Sequence, residues 1–216
     1  MTFVLGIDPS FPGSGVSFAF LDKEGRLIGW GRLPGHVELP PLATDARLVA
    51  IDAPLGLPMG WGCLDLPCTC GTCTAPPSAR RAAEVALGNM GIGLFWTTKR
   101  SILRPLIEWA IRQRKVLEGL GKEVVEVYPY ASKMILWGRP PARKSTVLAR
   151  RWLQENLASV VADVPRERLL SHDELDALVA AYSGLLWARG QAQALGLPHE
   201  GVIVVPKPPI EEGYGL

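Results

Sequence analysis

Thr2-Phe3-Val4-Leu5-Gly6-Ile7-Asp8-Pro9-Ser10 is the stretch on which the fold turns. Its apolar residues run without alternation, as they do in a strand covered on both faces at the centre of a sheet. One carboxylate, Asp8, comes at the very end, and Pro9 cannot donate to a further rung of the ladder. Open α/β sheets place their chemistry at such strand exits. An Asp-Pro pair also starts ordinary turns, so this stretch alone leaves both readings open. What decides between them is whether other acids converge on Asp8.

The chain next turns through 10–15 into Val16-Ser17-Phe18-Ala19-Phe20-Leu21, then through Asp22-Lys23-Glu24-Gly25 into Arg26-Leu27-Ile28-Gly29-Trp30-Gly31. Three strands joined by short Gly-containing turns predict an antiparallel meander. A Pro-rich crossing from Pro34 to Asp45 leads to Arg47-Leu48-Val49-Ala50-Ile51-Asp52-Ala53-Pro54, which ends as the first strand does, in Ile-Asp. Side by side and parallel, about 4.8 Å apart, these two strands bring Asp8 and Asp52 into one small volume.

Residues 55–98 read as a Gly-, Pro- and Cys-rich insertion with a short helix over 78–87. The spacing of Leu103, Leu106, Ile107, Ala110, Leu117 and Leu120 predicts an amphipathic helix from Lys99 to Leu120. Glu123-Val124-Val125-Glu126-Val127-Tyr128-Pro129 predicts a strand ending near a further acid, Glu126, and another helix is expected over 144–157. Ser171 and Glu174 have the capping-box spacing, so a helix starts there. Asp173 and Asp176 fall on one face of its first turns, and Ala177, Ala180, Ala181 and Gly184 offer a small-residue surface for close packing on a sheet. Val202 to Pro206 predicts an edge strand, followed by an extended Pro-rich tail.

Bulk properties bound the function. At 216 residues the chain is long enough to bury a full core as one domain, 1–216. A net charge of +2 announces neither a nucleic acid nor a membrane, so any basic surface is local. The N-terminus has no basic leader, and no run approaches the roughly 18 apolar residues of a membrane span. A soluble, cytoplasmic protein is expected.

Three antiparallel strands, a fourth strand, a helix, a fifth strand and further helices follow the layout of the RNase H fold. The expected architecture is α/β: an RNase H-like five-stranded mixed sheet of order 3-2-1-4-5, with helices on both faces and the Cys-rich insertion after strand 4. The residues also carry a family resemblance. Gly6-Ile7-Asp8-Pro9 followed by Gly15 resembles the opening of Holliday-junction resolvases of that fold, and Asp173 with Asp176 resembles their C-terminal metal-binding acids. A closer similarity is to an uncharacterised family of predicted RNase H-fold nucleases. It is carried by Gly6-Ile7-Asp8, Ile51-Asp52-Ala53-Pro54-Leu55-Gly56-Leu57-Pro58, Glu126-Val127-Tyr128-Pro129, Asp176-Ala177-Leu178-Val179-Ala180-Ala181 and Thr97-Thr98-Lys99-Arg100-Ser101. The resemblance runs nearly end to end and implies a nuclease active site on the acids.

The chemistry is consistent with that implication. Carboxylates about 4 Å apart repel by roughly 4 kcal/mol per pair at an effective dielectric of 20. Such a cluster persists only with cations among its members or with some acids protonated. Mg²⁺ or Mn²⁺ prefers oxygen ligands and keeps waters, and two such ions can drive an in-line displacement at phosphorus. On this reading Asp8 bridges two ions while Asp52 and Asp176 each hold one. Asp173 assists, unless it merely favours a helix N-terminus. Glu126 is a ligand, a water-orienting base or the partner of an Arg.

All four cysteines, Cys63, Cys68, Cys70 and Cys73, share one loop. A structural zinc ion is favoured for them; two disulfides or an iron–sulfur cluster also accommodate clustered thiols. Lys99, Arg100, Arg104, Arg112, Arg114 and Lys115 crowd one helix. Cations at its start oppose the dipole and point to a nearby anion, so Lys99, Arg100, Arg104 and Lys144 are the expected contacts to substrate phosphate. Arg80, Arg81 and Glu84 are weaker candidates from the insertion, and Tyr128 and Trp137 could stack on a base or serve the core.

Three function classes follow: a metal-dependent nuclease on DNA or RNA, a one-domain relative of the sugar-kinase and actin phosphotransferases, and a non-catalytic nucleic-acid-binding module. A homodimer would suit a branched substrate, though no residue demonstrates one.

Overall fold

The computed structural model describes residues 3–10, 14–35, 37–74 and 79–208. Thr2, the turn residues 11–13, the expected helix start at 78 and the tail from 209 lie outside the described residues. The meander is present as β1 (Val4–Pro9), β2 (Val16–Leu21) and β3 (Leu27–Leu33), followed by β4 (Leu48–Ile51). After the insertion and its short helix α1 (Ala82–Asn89) come α2 (Arg104–Gly119), β5 (Glu123–Val127), α3 (Pro129–Trp137), α4 (Val147–Val160), α5 (His172–Ala188), β6 (Ala192–Leu195) and β7 (Ile203–Pro206).

The sheet order is β3-β2-β1-β4-β5-β7-β6. The expected 3-2-1-4-5 core is intact, but among the described residues the sheet has seven strands and not five. Residues 203–206 do not form an edge. They pair parallel to β5, and β6 then pairs antiparallel to β7 and takes the edge. β6 was hidden because two of its four residues are exposed and polar or small, and a short edge strand needs no apolar run. α3 also gave no long periodic signal, being nine residues that start on Pro129.

β1 lies between an antiparallel β2 and a parallel β4, in the register Val4↔Leu48 to Ile7↔Ile51. Strand alternation therefore splits its side chains. Val4 belongs to the core that includes Leu48, Ala50 and α5, whereas Leu5 and Ile7 belong to the core shared with Val49, Ile51 and the α2 residues Trp109, Ala110 and Leu117.

α5 approaches β1 at backbone contact. A Cβ on Gly6 would lie 2.2 Å from the Ala177 carbonyl oxygen and 2.3 Å from the Ala181 nitrogen. A Cβ on Gly184 would lie 2.8–3.0 Å from Leu48, Val4 and Ala50. The small-residue face of α5 is thus what lets a buried helix lie directly on the sheet. The Ser171–Glu174 capping box satisfies both backbone donors at its start and sets where its acids emerge.

Candidate active site and a cysteine cluster

Strand parity aims the first acid. Asp8 falls on the same face of β1 as Val4 and Gly6, the face covered by α5. The Asp52 N–H donates to the Ile7 carbonyl at 2.9 Å, so the chain leaves β4 level with the end of β1. Leu48 and Ala50 face α5, and the same alternation carries Asp52 to that side. α5, held down along Gly6 and Gly184, brings Asp176 over the same strand ends. Asp8, Asp52 and Asp176 line one cleft of about 830 Å³, together with Lys133 and Lys144.

The electrostatics show how crowded these carboxylates are. Burial first, then Asp52, Asp176 and Asp173, raise the Asp8 carboxyl well above its ordinary range, with Lys144 opposing. Burial and then Asp176 push Asp52 up to about 8, against Lys133 and Lys144. For Lys144, burial alone would lower its pKa, but Asp176, Asp8, Asp52 and Asp173 outweigh it and the ammonium is held charged.

Two lysines pair with Asp176. Lys133 Nζ, buried on α3, is 2.6 Å from Asp176 Oδ1, and Lys144 Nζ is 3.6 Å from Asp176 Oδ2. Among the described residues, the cysteines are the one group of three or more potential ligands whose donor atoms gather within 4.8 Å of one another. The aspartates' donor set fits a hard divalent cation: several carboxylate oxygens forced into a poorly solvated space need either protons or a cation. Asp8, Asp52 and Asp176 are the residues that would hold it, with the lysine ammoniums displaced.

The remaining acids have partners of their own. Asp173 stands at the start of α5, 3.3 Å from Arg32 Nη1 and 3.0 Å from His172 Nε2, and reaches Asp8 through its field. Glu126 has the register position of Ile51 and so leaves the sheet on the face opposite α5, yet it lines the same cleft and its charge helps to raise Asp52. Its two oxygens accept from Arg81 Nη1 and Nη2 at 2.7 Å each, and one also accepts from the Leu55 N–H at 2.7 Å. Of the three roles expected for Glu126, the structure shows the arginine partner. Arg81 also donates to Glu84 at 3.0 Å, and Glu84 accepts from the Thr97 backbone and hydroxyl, so this buried network ties the insertion to β5.

Two of the four expected phosphate contacts are committed elsewhere. Lys99 Nζ lies 3.6 Å from Cys73 Sγ and over the Trp61 ring. Arg104 pairs with Asp65 and, at 2.6 Å, with Glu108. The anion expected near the start of that helix is therefore Asp65, from the chain itself. α2 begins only at Arg104, leaving Lys99 and exposed Arg100 in the preceding turns. Only Lys144 reaches the cleft, where Arg139 and Arg143 join it. Arg80 stacks over Trp96 at 4.1 Å. Tyr128 lines the cleft with its hydroxyl donating to Gly93 O at 2.7 Å, and Trp137 packs against the α5 core. Lys133 was not anticipated. The only available signal was a lysine in the first turns of a segment following a strand end.

The cysteines converge as expected. Successive Sγ separations are 3.4 Å (Cys63–Cys68), 3.4 Å (Cys68–Cys70), 3.5 Å (Cys70–Cys73) and 3.8 Å (Cys73–Cys63), and all four are free thiols. A hydrogen bond from Thr72 brings Cys70 down to about 5. A backbone hydrogen bond at Asp65 lowers Cys63, but burial and the three neighbouring thiols prevail and push it up to about 12.

Among the described residues, no helix is long and apolar enough to cross a membrane. Two solved structures are similar to this one. Thermus thermophilus RuvC shares 15% identity at a TM-score of 0.45, covering 87% of this chain and 96% of that chain. T. thermophilus RuvC in complex with Holliday junction substrate shares 15% identity at a TM-score of 0.47, covering 91% of this chain and all of that chain (100%). No curated protein matches the chain in sequence. The family model described as "Protein of unknown function (DUF429)" matches residues 6–200, and the chain belongs to that family.

Proposed function

We propose that the chain is a divalent-metal-dependent nuclease that hydrolyses phosphodiester bonds, with DNA favoured over RNA by its resolvase-like opening. The observation that carries this reading is the meeting of Asp8, Asp52 and Asp176 at one cleft, from the ends of two adjacent parallel strands and a helix laid on them. Asp8, Asp52 and Asp176 would hold Mg²⁺ or Mn²⁺ there, with Asp8 shared between two ions. Bound there, the ions would lower the pKa of an attacking water and stabilise the leaving oxygen.

The chain's own groups prepare that state. Raised proton affinity keeps Asp8 and Asp52 partly neutral until a cation enters. Lys133 and Lys144 neutralise Asp176 meanwhile. Once displaced, Lys144, whose side chain is 65% exposed, is free to turn towards a phosphate, and Arg139 and Arg143 extend the positive rim along a backbone.

The test is a cleavage screen with Mg²⁺ and Mn²⁺ over single-stranded, duplex and branched DNA and over RNA, beside Asp8→Asn. Metal-dependent products that vanish in a folded Asp8→Asn protein support the reading. Binding that persists in chelator without any cleavage identifies a binding module instead.

A further inference from the structure

We propose that Cys63, Cys68, Cys70 and Cys73 hold one zinc ion in a closed tetrahedral site, with Lys99 offsetting its charge, and that this ion shapes the loop from Gly60 to Thr74. A Zn–S bond of about 2.3 Å requires tetrahedron edges of about 3.8 Å. The four successive edges are 3.4–3.8 Å, and no pair of sulfurs exceeds 4.8 Å. That is the spacing of four thiolates around a single ion. A cubane cluster spreads its thiolates over separate irons, and two disulfides would leave no reason for both pairs to stack into one tetrahedron.

Beyond a few hydrogen bonds, such as Thr74 N–H to the Gly60 carbonyl at 2.7 Å, and the Asp65–Arg104 pair, the loop has little to hold its shape. From Trp61 to Thr74 only Leu64 is buried, and there is no helix or strand. Fourteen residues ordered without a core need a cross-link, and a structural metal supplies one. Four protein ligands leave no open coordination position, which distinguishes a structural site from a catalytic one.

The surroundings are those of a metal thiolate and not of four neutral thiols. Gly62 N–H donates to Cys73 Sγ at 3.2 Å, the Thr72 hydroxyl lies 3.1 Å from Cys70 Sγ, and Lys99 Nζ is 3.6 Å from Cys73 Sγ. Zinc with four thiolates carries a formal charge of −2, which explains why a lysine turns from solvent to sulfur. Lys99 and the Asp65–Arg104 pair fasten the loop to the segment leading into α2, whose Leu103 and Leu106 wall the cleft. The ion thereby braces that wall from a distance.

The experiment is elemental analysis of the purified full chain, alongside Asp8→Asn, Lys99→Gln and the double variant Cys68→Ser/Cys70→Ser. One zinc per chain is expected in the first three and less than one-tenth in the last. Lys99→Gln should release zinc to a chromogenic chelator about tenfold faster, the scale of losing an outer-shell partner. Stripping zinc from the wild-type chain should open residues 60–74 to proteolysis while the sheet stays protected, a readout that survives if the double variant fails to fold. Metal-free protein with four titratable thiols, protein carrying iron, or disulfides found by mass spectrometry would each overturn the site. Unchanged release from Lys99→Gln would overturn the role of that lysine. None of these readouts involves cleavage, so the proposal stands or falls apart from the nuclease reading.

Discussion

The acidic cleft and the cysteine loop are two ligand sets built by opposite means. The cysteines come from eleven consecutive residues, 63–73, and need only a few turns of backbone to meet. The aspartates come from positions 8, 52 and 176 and meet only because β1 and β4 pair in parallel and α5 lies on them. The cysteine set closes to within 4.8 Å, soft and complete, whereas the aspartates keep two lysines beside Asp176 and remain open to a cleft. A site that must exchange ions and substrate cannot be sealed by its own ligands; a staple must be.

The sharpest way to break this comparison is Asp8→Asn. It should lower metal-dependent cleavage about a thousandfold, the scale of losing a transition-state-stabilising group, and leave the zinc content untouched. Loss of both together would show that the two sites fold as one. Gly6→Ala comes next, because its methyl would collide with the α5 backbone. We expect it to cost about 3 kcal/mol, a fall in Tm of about 10 °C, measured by thermal melting. A Tm within a degree of wild type would mean that α5 does not press on β1 as described.

Lys133→Met tests the open site alone. Removing the ammonium leaves buried Asp176 with Lys144 as its remaining partner, and should cost about 2 kcal/mol without metal. That is less than a fully isolated buried charge, since the crowded carboxyls can take up a proton. The same change removes a competitor, so Mn²⁺ should stabilise the variant more than the wild type in paired melts. Equal Mn²⁺ effects would place the ion elsewhere.

A pH slope sharpens the same comparison. Asp52 is raised from 3.8 to about 8, so between those limits the folded chain binds protons that the unfolded chain has released. Stability of the metal-free protein therefore falls as pH rises through this window, by roughly 10 °C in Tm between pH 5 and pH 8. Asp52→Asn should flatten the slope and saturating Mn²⁺ should reverse it. A metal-free Tm that climbs over this range would contradict the raised pKa.

Legibility followed the distance over which information had to travel. The paired Ile-Asp strand ends, the Ser171 capping box, the small-residue face of α5 and the four cysteines each declare themselves within a dozen residues. The five-strand core followed from them. The partners of charges did not. Glu126 reads as a fourth acid and does line the cleft, but Arg81, 45 positions earlier, takes both its oxygens. Lys99 and Arg104 looked like phosphate contacts until the folded insertion presented them with Cys73 and Asp65. β6 was silent because an exposed edge strand has no apolar pattern to show.

By itself, then, the amino-acid order determined which residues could do chemistry and where the strands and helices with a clear apolar pattern would lie, because periodicity and capping are properties of short windows. Only the tertiary structure decided which charge answers which. A side chain's partner is settled by register, parity and packing across the whole sheet, and so Lys133 became the neighbour of Asp176 and Glu126 the neighbour of Arg81.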